Sequence, residues 1–228
     1  MKKYDIFLFD ADNTLYDFDK ASAYAIKILF EECGYLYEEH IATRFYEIGV
    51  PLWKSYEKGE MSDKELQKLR FATLLGEQGI QHDPVEFNAK YLYALGSNPL
   101  LIDGAYEICR DIVKNCKKLF IITNGFLASQ ETRMIYSPIR EYISGAFISE
   151  VVGYKKPSKE YFEYVLTSVP PVDKRNVLVV GDSLSADIAG GNAVGVDTCW
   201  FNLHGAENQT EIVPTYEISK LSELQKFV

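Results

Sequence analysis

The chain has 228 residues, 47% of them hydrophobic, and a formal net charge of -9. That length and apolar share suit one sizeable globular domain, or one domain carrying a smaller insert. The acidic balance, with lysines and arginines scattered and not gathered in a stripe, excludes a dedicated binder of nucleic acid polymers, and no apolar run reaches membrane-spanning length.

The N-terminal Lys2 and Lys3 precede an apolar stretch that Asp5 and Asp10 interrupt, so no signal peptide is expected and the setting reads as cytoplasmic. Cys33, Cys109, Cys116 and Cys199 are widely spread, lack Cys-x-x-Cys spacing, and are expected to be buried free thiols of a reduced compartment. Nothing in the sequence sets an oligomeric state.

In chain order, the first predicted strand is IFLF, 6–9, which runs directly into Asp10, Asp12, Asp17 and Asp19. Such crowding is unfavourable unless a cation or a shared proton offsets it. From 17 to 96 the pattern is helical, including Ala21 to Glu32 and a capping box of Ser62 and Glu65 ahead of Leu66, Leu69 and Leu74, which predicts a helical insert after the first strand. A helix with Ile108, Cys109, Ile112, Val113 and Cys116 on one face is expected after Asp103. Strands follow at LFII (119–122), AFIS (146–149), VLVV (177–180) and TCWF (198–201), and a helix with Tyr161, Phe162, Val165 and Leu166 starts after Ser158. The alternation predicts an α/β fold, a doubly wound parallel sheet built from 1–16 and 97–228, with 17–96 as a separate helical domain.

Ligands of open parallel sheets bind at the carboxyl ends of strands. The residues just past each apolar run are Asp10 and Asp12, then Thr123, Asn124 and Gly125, then Gly153 and Lys156, then Asp182 and Asp187. Two carboxylates spaced like Asp10 and Asp12 suit a nucleophile and a general acid/base. A hard cation such as Mg2+ between Asp10 and Asp182 would relieve their repulsion and neutralise a phosphate, with Lys156 and Thr123 as further phosphate ligands.

DADNT, the ITN segment, the lysine before proline and GDSLSAD resemble, in order, the four motifs of the haloacid dehalogenase superfamily of phosphohydrolases. The resemblance implies a Rossmann-like core with a helical cap that closes over the substrate and excludes water. It implies that Asp10 is the nucleophile forming an aspartyl-phosphate and Asp12 the acid/base. Thr123, Asn124 and Lys156 would bind phosphate, and Asp10, Asp12 through its backbone carbonyl, and Asp182 would hold Mg2+. Thr14, Ser183 and Asp187 would support these groups from behind. Asn13 stands where many members have glycine, and Lys155 neighbours Lys156. The dehalogenating branch lacks the second acid of the first motif, so Asp12 favours phosphate esters over carbon-halogen bonds.

Within the insert, PLWKSYEKGE and the RF further on, together with the C-terminal CWFN, resemble the house-cleaning pyrimidine 5'-nucleotidases of bacteria. A planar base needs a stacking face and a few donors, and Phe18, Trp53, Tyr56 and Arg70 are the residues expected to provide them. The expected activity is hydrolysis of a small phosphate monoester, a nucleoside 5'-monophosphate with pyrimidines favoured. The alternatives are a phosphatase of small sugar or other metabolite phosphates, a phosphomutase, and a binding module that has lost catalysis.

Overall fold

The computed structural model describes residues 2–228. Six strands form one all-parallel sheet: β1 (Ile6–Asp10), β2 (Lys118–Thr123), β3 (Gly145–Ile148), β4 (Val177–Gly181), β5 (Asp197–Phe201) and β6 (Tyr216–Ile218), in the spatial order β3-β2-β1-β4-β5-β6. β1 and β4 are buried along their whole length, as expected of strands covered on both faces. β6 has three residues and no apolar run, which is why the sequence pattern does not reveal it.

Nine α-helices are described: α1 (Phe18–Glu32), α2 (Glu39–Glu57), α3 (Asp63–Glu77), α4 (Pro84–Ser97), α5 (Ala105–Lys114), α6 (Leu127–Tyr136), α7 (Ser149–Val152), α8 (Lys159–Ser168) and α9 (Ala189–Val194). The capping box at the start of α3 is formed, with Ser62 Oγ accepting from Glu65 N–H and the Glu65 carboxylate accepting from Ser62 N–H. Ser158 caps α8 by accepting from Tyr161 N–H. The cap of α5 is Gly104 in the left-handed region at φ 84°, one residue past the expected Asp103. No helix among the described residues is long and apolar enough to cross a membrane.

The chain divides into two compact units. The first comprises 1–17, 100–127 and 137–228, and holds the sheet. Its interior on one face of the sheet joins Ile6, Leu8, Ile122, Val177 and Val179 to Tyr161, Phe162 and Val165 of α8. Chain reversal lies at β1: the path runs outward through β2 and β3, then returns to β4 on the other side. Strand ends flanking such a switch point form the crevice where parallel sheets bind ligands.

The second unit comprises 18–99 and 128–136. Its interior is aromatic: the Phe45 and Phe71 rings lie 4.8 Å apart, Phe71 is 5.3 Å from both Phe87 and Tyr91, and Phe30 is 5.6 Å from Phe87. This unit also takes in most of α6, although α6 follows β2 in the chain. Gly96 of α4 permits the contact, because a Cβ there would stand 2.6 Å from both the Ser129 carbonyl oxygen and Thr132 Cβ.

All four cysteines are free, but only Cys109 and Cys199 are buried. Cys33 is intermediate and Cys116 exposed, which corrects the expectation that all four lie inside. Cys116 sits past the end of α5 with φ 60°, turned away from the apolar face to which its spacing assigns it.

Candidate active site

The centre of the first unit's strand ends is the Lys156 ammonium. It donates to Asp10 Oδ1 at 2.5 Å, to Asp187 Oδ1 at 2.7 Å and to the Ile122 carbonyl at 3.1 Å. Asp10, Lys156 and Asp187 are all nearly inaccessible to solvent. Burial and the charges of Asp187 and Asp12 push the Asp10 carboxyl up to about 7 against the opposing pull of Lys156. The Asp182 carboxyl is also raised, by burial and then by Asp10 and Asp187. Burial opposes the charge on Lys156, but Asp10 and Asp187 outweigh it and hold the ammonium above the usual lysine range.

One carboxylate oxygen each from Asp10, Asp182 and Asp187 lies within 4.8 Å of the other two. Three buried or half-buried carboxylates at this spacing offer an all-oxygen donor set, suited to a hard divalent cation. Burial and then mutual repulsion make Asp10 and Asp182 harder to ionise, and a dication would relieve that repulsion, so the residues fit a metal ion. Asp187 therefore stands in the cluster itself. Its Oδ1 serves Lys156 while its Oδ2 accepts from Ser183 N–H at 3.1 Å. Gly181 makes room for it, since a Cβ there would meet Asp187 Oδ2 at 2.2 Å.

Neighbouring segments hold these groups in place. Asn124 and Lys156 form a reciprocal pair: Lys156 N–H donates to Asn124 Oδ1, and Asn124 Nδ2–H donates to the Lys156 carbonyl, both at 2.9 Å. The Asn124 side chain is thus committed to fixing the lysine's backbone. Thr123 Oγ1 accepts from Gly125 N–H at 2.9 Å, which leaves its own hydroxyl proton to donate outward. Thr14 Oγ1 accepts from Asp182 N–H at 3.1 Å, and Ser183 Oγ caps the π-type turn Leu184–Ile188 by accepting from Ala186 N–H.

Asp12 lies two residues past Asp10 in a turn closed by Asn13 N–H to the Tyr16 carbonyl at 2.7 Å. Asn13 itself has φ 59°, a conformation that asparagine adopts more readily than other non-glycine residues. This explains how it stands where glycine is common. Lys155 is only half-buried, and it is Lys156 that reaches Asp10.

Sequence reasoning misses Tyr161, which it assigns to the apolar face of α8. Its hydroxyl donates to the Phe147 carbonyl at 2.6 Å and accepts from Thr123 N–H at 3.1 Å, tying β3 and α8 to the residue that ends β2. The hydroxyl at an otherwise apolar position was the available signal.

The residues proposed for base recognition lie in the second unit. Phe18 and Trp53 are half-buried, and the Trp53 ring meets Tyr56 edge-on at 5.6 Å. Tyr56 and Arg70 are buried. The Arg70 guanidinium lies within 5.1 to 6.0 Å of the Phe45, Tyr91, Trp53 and Phe71 ring centres and donates to Asn88 Oδ1 at 3.3 Å. Arg70 therefore packs within the aromatic interior of its own unit.

These strand ends, in this order, are those of one known class. A family profile described as haloacid dehalogenase-like hydrolase matches residues 4–195, and the chain belongs to that family. The protein YfnB of Bacillus subtilis is 39% identical over 98% of this chain and 95% of its own length. A crystal structure of YfnB, bound to magnesium and described as revealing interdomain movement, superposes with a TM-score of 0.91 over 99% of this chain and 98% of that one. Two pyrimidine 5'-nucleotidases are each 33% identical: PynA of Streptococcus pneumoniae, over 97% of this chain and 93% of its own, and YjjG of Escherichia coli, over 99% and 98%.

Proposed function

We propose that the chain is a Mg2+-dependent phosphatase of nucleoside 5'-monophosphates, with pyrimidine nucleotides favoured, acting through an aspartyl-phosphate. The observation that carries this reading is the buried Lys156 ammonium shared by Asp10 and Asp187, beside Asp182 and the strand end bearing Thr123. A lysine so placed orients the Asp10 carboxylate and presents positive charge where phosphoryl oxygens would arrive.

Asp10 attacks phosphorus, forming a new carboxylate oxygen to phosphorus bond as the ester oxygen departs with its electron pair. Asp12 gives that oxygen a proton, then takes one from the water that attacks the aspartyl-phosphate. Inorganic phosphate leaves and Asp10 is regenerated. Thr123 and Lys156 donate to the phosphoryl oxygens throughout. Mg2+ held by Asp10, Asp182 and the Asp12 backbone carbonyl, with Asp187 alongside, would supply the remaining positive charge to a dianionic substrate.

The nucleotide preference rests on the two pyrimidine 5'-nucleotidases at 33% identity and on Trp53, a half-buried aromatic of the helical unit. Truncating Trp53 to alanine should lower kcat/KM for a pyrimidine monophosphate by about 1 to 3 kcal/mol of recognition while sparing a small aryl phosphate. Equal losses on both, with a lower melting temperature, would mean that the ring only packs its own unit.

A panel of phosphate monoesters assayed with Mg2+ tests the substrate class. Pyrimidine nucleoside monophosphates should show the highest kcat/KM, and a sugar phosphate leading the panel would replace the nucleotide reading. In the same panel, Asp12→Asn should cost far more on a nucleotide than on an aryl phosphate, whose leaving oxygen needs little protonation. Matching losses on both would remove Asp12 from the acid role.

A further inference from the structure

Asp182 lies one residue past the end of β4, where the ladder to β5 stops at the pair Gly181 and Trp200. Its peptide groups have therefore left the sheet, and two side chains bond them instead. Thr14 Oγ1 accepts its N–H at 3.1 Å, and the Trp200 indole Nε1–H donates to its carbonyl oxygen at 2.8 Å. With both sides of the residue held, the direction of its Cα–Cβ bond is set. Trp200 is 5% exposed, so its N–H has no ready supply of water as an alternative partner.

The three carboxylates of the cluster are not secured alike. Lys156 bonds Asp10 and Asp187 directly, whereas the ammonium makes no such bond to Asp182. Asp10 and Asp187 each place a carboxylate oxygen within 4.8 Å of one on Asp182, close enough to repel it. The Asp182 carboxylate, which Lys156 does not bond, belongs to a residue held through its backbone.

We propose that Trp200 is a positioning residue for the metal-ligating carboxylate of Asp182, acting through its indole N–H on the Asp182 peptide. The proposal rests on the reading of Asp10, Asp182 and Asp187 as the Mg2+ site. A phenylalanine at 200 would fill much of the same apolar space, so a role in packing alone does not require the N–H. Residues one bond removed from metal ligands typically change metal affinity by about 10- to 100-fold when altered.

The chain has two tryptophans, Trp53 and Trp200, so an indole 15N–1H spectrum of the whole protein has two side-chain resonances to assign. On titration with MgCl2 alone, the Trp200 resonance should shift and saturate with the dissociation constant found by calorimetry. Replacing Trp200 with phenylalanine, or with benzothienylalanine to exchange only the N–H for sulfur, should weaken Mg2+ binding roughly tenfold. The kcat at saturating Mg2+ should stay near the wild-type value. A Trp200 resonance unmoved in protein that binds Mg2+, or wild-type affinity in the benzothienyl variant, would overturn the proposal and leave the metal site standing. Absence of Mg2+ binding by the unaltered protein would instead remove the metal reading, and the role of Trp200 with it. The wild-type titration needs no variant to fold.

Discussion

On the proposed mechanism, Asp10→Asn is expected to lower the hydrolysis of any accepted phosphate monoester by at least about three orders of magnitude, because it would remove the attacking oxygen and a metal ligand in one step. The substitution preserves shape, and its amide oxygen can still accept from Lys156. Stability should therefore respond differently from activity. The Asp10 carboxyl is pushed up to about 7 chiefly by burial, so its ionised form is held at a cost that the neutral amide avoids. The variant should melt, without added metal, at or above the temperature of the parent, as expected of a site that trades stability for chemistry. Residual activity above about a tenth, on the scale of single-group losses, would rule out the assignment.

Lys156→Met should be costly in both respects. Asp10 and Asp187 would be left in the interior without the ammonium that each contacts, at 2.5 and 2.7 Å. Removing one partner of a buried ion pair typically destabilises by about 3 to 5 kcal/mol, since the remaining charge is neither solvated nor paired. Here two carboxylates are orphaned, and Asp182 adds a third nearby charge. Chemical denaturation at neutral pH should show a loss of that order, partly reversed by millimolar Mg2+, because a cation bound only to the folded state stabilises it by mass action. Hydrolysis should fall steeply even where Mg2+ restores the fold, since the proposed mechanism gives Lys156 a donor role toward the phosphoryl group. An unchanged unfolding midpoint would show that Lys156 does not balance these carboxylates.

The parts of this site that were legible in the sequence are those whose position follows from chain order. Asp10, Thr123 and Asp182 each stand at or just past the end of an apolar run, and the rule that parallel strands present their carboxyl ends to ligand brings them together. Lys156 could be named because it precedes a proline in the expected interval. What stayed hidden was the far partner of each side chain. Tyr161 and Trp200 occupy regular positions on a helix face and in a strand, and nothing in their spacing tells that the hydroxyl meets Thr123 or the indole meets Asp182.

The packing of Arg70 was hidden as well. Positive charge in an aromatic-rich segment reads as a recognition surface, yet a guanidinium can be buried among rings, as it is beside Phe45, Trp53, Phe71 and Tyr91. The grouping of α6 with the helical unit was equally inaccessible. It depends on how closely α4 and α6 approach at Gly96, a fact about three-dimensional packing that no helical periodicity records.

The covalent role of Asp10 is tested most directly by the stereochemical course at phosphorus, measured on a chirally labelled phosphate monoester hydrolysed in isotopically labelled water. Attack by Asp10 followed by attack of water comprises two in-line displacements, each inverting the centre, so the account predicts net retention. Net inversion would signify a single displacement by water, and would contradict an aspartyl-phosphate on Asp10.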